Sequence, residues 1–310
     1  MTRRAACLLA LLVVAAATGC GLGPGNEQSG DGVSIRVSRD FGRELLSSDR
    51  FDKVREGQTV MRALQSRRKV KTRFGGGFVQ SIDGLSGRGA GATQDWFFYV
   101  NGIEADKGAA EYELSPGDVV QWDHRDWVET MDVRAIVGAF PEPFLHGLDA
   151  KRFPVRVECE DVESDPCEEV KATLEGVGVP ATGAALGASG NQDVIRVVVA
   201  TWPRARELPS AKIVEQGPKE SGVFARYDKG GQELDLLDDR GDTVRTENAG
   251  TGLIAALRPA DTEIVWLVTG GDEQGLANAA AAFDATTLRD AFAVAATEDG
   301  PVKLPLEASP

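Results

Sequence analysis

The spacing of apolar and polar positions divides the chain into two stretches of different character. In the first, Val33-Ser34-Ile35-Arg36-Val37 alternates with period two and predicts a strand. Thr59 stands where an N-cap belongs, ahead of a short helix that turns Val60, Ala63 and Leu64 to one side. Three glycines, Gly75 to Gly77, close that unit. Phe78–Ile82 then reads as a strand, Asp83-Gly84 as a turn and residues 86–94 as a glycine-rich loop. Residues 95–100 form an aromatic strand turned by Asn101-Gly102, and residues 119–122 form another after the turn Ser115-Pro116-Gly117-Asp118.

Around residues 131–150 the pattern changes. Pro141 and Pro143 punctuate the chain, and strand and helix signals alternate afterwards, as they do in α/β folds. Residues 194–200 and 264–268 are nearly continuous apolar runs, which marks strands buried on both faces. Residues 223–227, 233–237 and 253–257 read as further strands, joined by turns such as Asp239-Arg240-Gly241-Asp242. Phe153, Val155, Val157 and Cys159 alternate as one face of a strand. Asp165 is placed to cap the helix that follows, with Pro166 at its first position and Glu168 completing an Asp-x-x-Glu box. Asp272 caps a second helix that carries Leu276, Ala279, Ala280 and Phe283 on one face. Residues 176–193, polar and rich in Ala and Gly, read as a loop or linker.

The N-terminus adds an address. Arg3 and Arg4 precede an almost wholly apolar run from Ala5, closed by Ala17-Thr18-Gly19-Cys20. This resembles a bacterial lipoprotein signal, with Ala17 where Leu is usual. The resemblance implies cleavage after residue 19, acylation of Cys20, and a protein anchored by lipid to the outer face of the cell membrane. An ordinary secretory signal is the alternative, and both place the protein outside the cytoplasm. Residues 20–32 then read as a flexible tether, residues 33–130 as the first domain and residues 131–310 as an α/β domain of unknown function. The net charge of −14 points away from nucleic acid and from anionic membrane surfaces as partners.

Of four cysteines, Cys7 lies in the leader and Cys20 carries the lipid, which leaves Cys159 and Cys167 as a pair in an oxidising compartment. A disulfide between them would staple a strand end to a helix start. A metal site or redox pair is the rival, but seven intervening residues and no nearby His fit neither zinc spacing nor Cys-x-x-Cys chemistry.

Four ordered motifs in the first stretch carry a second resemblance: Thr59-Val60-Met61-x-Ala63-Leu64, Ser81-Ile82-Asp83-Gly84-Leu85, Trp96-x-x-Tyr99-Val100-Asn101-Gly102 and Gly117-Asp118-Val119-Val120-x-Trp122. Together they resemble the β-grasp domain similar to the transcobalamin C-terminal domain, which recurs on bacterial surface lipoproteins. The resemblance implies an α+β fold in which a helix packs on a mixed sheet. It also makes cobalamin or a related tetrapyrrole a candidate ligand, although the helical barrel that completes the carriers' site has no counterpart here. No cofactor is required by any motif.

Alternation along the aromatic strand puts Trp96, Phe98 and Val100 on one face and Phe97, Tyr99 and Asn101 on the other. One face fills the core. The Phe97/Tyr99/Asn101 face is either covered by the second domain or open as a stacking surface for a flat ligand, with Arg88 of the glycine-rich loop beside it as a candidate anion contact. Trp122 reads as core.

Catalytic constellations are missing. His124 and His146 stand in no strong metal spacing, and there is no Gly-x-Ser-x-Gly elbow. Asp123-His124-Arg125-Asp126 reads as surface salt-bridging, and Asp235, Asp238, Asp239 and Asp242 as a solvated turn rather than a calcium site. The expectation is a membrane-anchored, extracytoplasmic ligand-binding lipoprotein, an accessory of small-molecule or cobalamin-like uptake, and not an enzyme. The alternatives are an envelope protein-interaction module without a small ligand and, if unlinked residues converge in space, a hydrolase.

Overall fold

The computed structural model describes residues 26–87, 91–190 and 192–308. Among them the chain is β-rich with mixed sheets and few helices, an α+β architecture. The strands are β1 (Val33–Arg39), β2 (Glu44–Phe51), β3 (Val70–Arg73), β4 (Phe78–Ile82), β5 (Gln94–Val100), β6 (Ile103–Glu104), β7 (Val119–Asp126), β8 (Val155–Cys159), β9 (Ala181–Ala185), β10 (Ile195–Thr201), β11 (Ala225–Tyr227), β12 (Glu233–Leu237), β13 (Thr243–Asn248), β14 (Gly252–Ala260), β15 (Glu263–Gly270), β16 (Ala293–Thr297) and β17 (Gly300–Leu304). The helices are α1 (Val60–Arg67), α2 (Asp165–Gly176), α3 (Trp202–Ala205), α4 (Pro209–Lys212), α5 (Pro218–Ser221), α6 (Glu273–Ala281) and α7 (Ala285–Leu288). None is long and apolar enough to cross a membrane.

A five-stranded sheet of order β2-β1-β7-β5-β6 organises the first region. Its centre is the parallel pair β1 and β7, flanked by antiparallel neighbours. Val33, Ile35 and Val37 of β1 and Val120 and Trp122 of β7 face α1, where Val60, Met61, Ala63 and Leu64 complete a buried core. Thr59 caps α1 as its sequence suggests, accepting a hydrogen bond from the Arg62 amide at 3.3 Å. The β3–β4 ribbon stands outside this sheet.

The second region is a seven-stranded sheet of order β17-β16-β14-β15-β10-β8-β9. Strands β15, β10, β8 and β9 run parallel, and β14, β16 and β17 extend the sheet antiparallel. Helices α2 and α6 cover one face, burying Val170, Leu174 and Ala279, with Phe283 just beyond the end of α6, against Val157, Val197 and Trp266. The opposite face packs on α3, α4 and the three-stranded sheet β11-β12-β13, with Trp202 stacked on Tyr227 at 4.4 Å.

Several expectations are corrected. Residues 181–185 are not linker but the edge strand β9, paired in parallel with β8; its Ala-Thr-Gly-Ala-Ala run has no apolar period to betray it. Strand β2, an exposed edge, hides in a polar stretch for the same reason. Helix α2 begins one residue earlier than its box suggests: Ser164 is the N-cap, and Asp165 lies inside the first turn. The stretch read as tether is fixed from Asn26 onward, with Gln28 donating to the Val54 carbonyl at 2.9 Å and Glu56 to the Asn26 carbonyl at 3.0 Å.

Candidate functional site

The chain leaves β8 through α2 to reach β9 on one side, and it leaves β10 across the opposite face of the sheet to reach β14 on the other, from which an antiparallel hairpin brings β15 back beside β10. Where two adjacent parallel strands send their connections apart, nothing fills the space beyond their carboxyl ends, and open α/β sheets bind ligands in such crevices. Here that space is a crevice of about 430 Å³. Glu160 and Asp161 follow β8, Ser164, Asp165 and Pro166 start α2, Val199 and Thr201 end β10, and Glu273, Leu276 and Ala277 come from α6.

The Cys159–Cys167 disulfide, next in sequence to the lining residues Glu160 and Pro166, ties the end of β8 to the first turn of α2 with 6.0 Å between Cα atoms. Both cysteines are buried in the core under α2. Glu160 is held in place, accepting from the Thr201 amide at 2.9 Å and the Thr201 hydroxyl at 2.8 Å, with Arg204 at 3.8 Å. Asp272 caps α6 through the Gly275 amide at 2.8 Å. The two helix N-termini, positive ends of their dipoles, therefore already carry Asp165 and Glu168 on one and Asp272 and Glu273 on the other. The walls are acidic and the floor of Val199, Pro166, Leu276 and Ala277 is apolar.

On the opposite face of the sheet, Glu158 is fully buried between Arg196 and Arg156, with bidentate contacts of 2.8 Å to Arg196. Burial pushes its carboxyl up, but hydrogen bonds and charge from the two guanidinium groups outweigh this and hold it below the usual range. This ion network, which Arg196 extends to Glu263 at 2.9 Å, ties β8 to β10 and leaves the Glu158 carboxylate itself no exposure.

The aromatic strand turns out otherwise. Tyr99 is 0% and Asn101 1% exposed, and Phe97 packs against the same core cluster as Tyr99. The Phe97/Tyr99/Asn101 face is therefore not a ligand surface but a seam between the two regions. Tyr99 meets Phe292 edge-on at 5.7 Å, and Phe41 meets Phe224 at 4.9 Å and Phe292 at 5.4 Å. Asn101 is tied internally, donating to Asp118 at 2.9 Å and to the Gly147 carbonyl at 2.7 Å. A flat ligand such as cobalamin would have to displace the second region to stack here, so these residues do not fit it. Cys20 and Arg88 lie outside the described residues.

The Asp123-His124-Arg125-Asp126 run is likewise not surface salt-bridging. Asp123 and Arg125 are buried in the seam. Asp123 accepts from the Ser38 hydroxyl at 2.7 Å and from the Phe41 and Gly42 amides at 3.0 and 2.9 Å. Arg125 lies 3.8 Å over the Phe97 ring and donates to the Thr130 carbonyl and the Tyr99 hydroxyl at 3.0 and 3.3 Å. Gly42 is required there: its φ is +75°, and a Cβ would meet the Asp290 carbonyl oxygen at 2.1 Å. His124 points back toward Trp96, with 5.0 Å between ring centroids, and burial holds its imidazole below the usual value. His146 is taken up by Glu142 at 2.6 Å and Asp31 at 3.2 Å. Asp238 caps its own turn, accepting from the Arg240 and Asp242 amides at 2.9 Å each. Among the described residues no group of three or more His, Cys, Asp or Glu is placed to hold a metal ion.

Comparison with known proteins adds little to this geometry. Residues 57–125, in the first region, match the model of a domain of unknown function (DUF4430). No curated protein matches the chain. Among solved structures the chain is similar to one from Ruminococcus gnavus ATCC 29149 described as a "putative metal binding protein", at 15% identity and a TM-score of 0.25, covering 31% of this chain and 97% of that one. The crevice lies outside the residues that match the domain model.

Proposed function

We propose that this chain is an extracytoplasmic ligand-binding protein, anchored through acylated Cys20, whose ligand enters the crevice between the N-termini of α2 and α6. The observation that carries the reading is the position of that crevice at the switch point of the parallel strands. Its lining names the ligand class. Asp161, Asp165 and Glu273 over an apolar floor suit a small organic cation, an amine with an apolar body, and a volume of about 430 Å³ suits a drug-sized molecule. A whole corrinoid is too large for it.

The leader and the Cys159–Cys167 disulfide both support a place outside the cytoplasm, because such bridges persist in oxidising compartments. We read residues 33–130 as a β-grasp domain, supported by one helix packed on a five-stranded mixed sheet, and residues 131–310 as the α/β domain that holds the site. Binding rather than catalysis is supported by the engagement of both histidines in structural contacts.

A thermal-shift screen of aliphatic, aromatic and quaternary amines tests this. A ligand at a hundred times its dissociation constant stabilises by about 2.7 kcal/mol, and Ala277→Trp, which fills the crevice, should abolish the shift. If no amine raises the melting temperature, or the shift survives Ala277→Trp, the reading fails and an envelope-interaction role takes its place.

A further inference from the structure

The chain's charge is not evenly spread. Residues 57–82 contain Arg62, Arg67, Arg68, Lys69, Lys71 and Arg73 and no Asp or Glu, which leaves −20 on the remainder of a chain whose net charge is −14. Arg62 lies in the first turn of α1, whereas the other five follow one another closely: Arg67 ends α1, Arg68 and Lys69 link it to β3, and Lys71 and Arg73 lie on β3, in the ribbon that is separate from the main sheet. Arg68 is committed to Asp49 and Asp83. Lys69, Lys71 and Arg73 are exposed and form no ion pair among the described residues.

The ribbon's turn is Phe74-Gly75-Gly76-Gly77-Phe78. Phe74 is 87% exposed, the most exposed large apolar side chain among the described residues, and Phe78 is 37% exposed beside it, with ring centroids 6.3 Å apart. Phe74 has a φ of +51°, in the left-handed region that a bulky side chain rarely adopts. The turn therefore holds an aromatic ring out in water at the end of a basic ribbon.

We propose that the tip of the β3–β4 ribbon docks on an anionic lipid surface. Phe74 and Phe78 would enter the boundary between headgroups and acyl chains, while Lys69, Lys71 and Arg73 meet the headgroup phosphates. Whole-chain acidity argues against such a partner only if every charge is felt at the surface. With a Debye length of about 8 Å at physiological salt, the acidic remainder is screened and the local patch decides. A bilayer interface supplies an anionic layer and an apolar medium within a few ångströms of each other, which matches the pairing of exposed cations and exposed rings on this ribbon. A nucleic acid or an acidic protein would supply the charge without the apolar medium that two exposed phenyl rings call for. This inference is independent of the crevice reading, and each can fail without the other.

The test uses the full chain in a Cys20→Ala background, so that acylation contributes nothing, with Phe74→Trp as the reporter. Vesicles of phosphatidylglycerol with brominated acyl chains should quench and blue-shift the new tryptophan, and phosphatidylcholine vesicles should not. The native tryptophans are buried or half-buried and serve as the unquenched background. High salt should release the tip. Adding Lys71→Glu and Arg73→Glu, two exposed charge reversals, should lower partitioning by about a hundredfold or more, since each basic residue near such a surface is worth roughly tenfold or somewhat less and reversal counts twice. Lys69→Gln with Lys71→Gln is the milder pair should the reversals disturb folding. No quenching on phosphatidylglycerol, equal quenching on phosphatidylcholine, or quenching indifferent to both charge pairs would overturn the proposal.

Discussion

The aromatic strand β5 and the crevice beyond β8 and β10 exchange the roles their sequences suggest. Residues 95–100 are rich in the rings that make binding surfaces, yet both faces of that strand are used up: Trp96 and Val100 by the core over α1, Phe97 and Tyr99 by the second region. The crevice is lined by residues that look like ordinary helix starts and strand ends, and it is open. Concavity comes from where chain connections diverge, not from the composition of the segments that meet there. Aromatic content measures how much area a strand can bury; it does not say whether a ligand or another part of the same chain buries it.

Four measurements bear on this contrast. The largest effect is expected in the seam. Tyr99→Ala removes a fully buried ring and a hydrogen-bond partner of Arg125, and chemical denaturation should show a loss of about 3–5 kcal/mol. A small loss would mean that the face is less closed than the packing implies.

Second, the disulfide between β8 and α2 closes a short loop, so replacing Cys159 and Cys167 by Ser should cost about 2–3 kcal/mol. Mass spectrometry of the unreduced protein should find the two peptides cross-linked, and free thiols would remove the bridge from the account.

Third, Glu104 sits between the regions, close to Arg125, Asp132, Arg134 and Arg258, and burial pushes its carboxyl up to about 7 from 4.5. The folded chain therefore holds a proton that the unfolded chain has released, and stability falls as pH rises from about 4.5 to 7. Glu104→Gln should raise stability at pH 8 by about 1–3 kcal/mol and leave it nearly unchanged below pH 4.5. Melts of both proteins across that range decide it, and a constant difference at all pH values would point to packing instead of ionisation.

The smallest effect belongs to the crevice. Its walls are solvated, so Glu273→Lys should cost only about 1 kcal/mol, from reversing a charge at the N-terminus of α6, while weakening any amine that the screen returns. A large loss of stability there would make Glu273 part of the scaffold.

Much of the fold is legible from local pattern. Thr59 and Asp272 cap the helices they precede, and Leu276, Ala279, Ala280 and Phe283 face inward together. The two continuous apolar runs are the central parallel strands β10 and β15. What the pattern misses is edge structure. Strands β2 and β9 have few apolar positions because little of either packs on a core, and each is held at a sheet edge by the backbone hydrogen bonds of the strand before it, β1 and β8, which leave no apolar period in the sequence. The seam is invisible for a related reason: Asp123 and Arg125 are charged residues that sequence alone places at the surface, and only their partners Ser38, Phe41, Gly42 and Tyr99 make burial tolerable.

By itself the sequence determines which residues share a face and, to within a residue, where the three longer helices start, because both follow from backbone periods and from side chains a few positions apart. The even pair Cys159 and Cys167 belongs to the same class, since a bridge between a strand end and the next helix is nearly local. Tertiary structure alone decides what covers each face. Covering depends on which connection crosses which side of a sheet, a choice made by contacts between residues far apart in the chain, and it closed the face of Tyr99 while leaving the ends of β8 and β10 open.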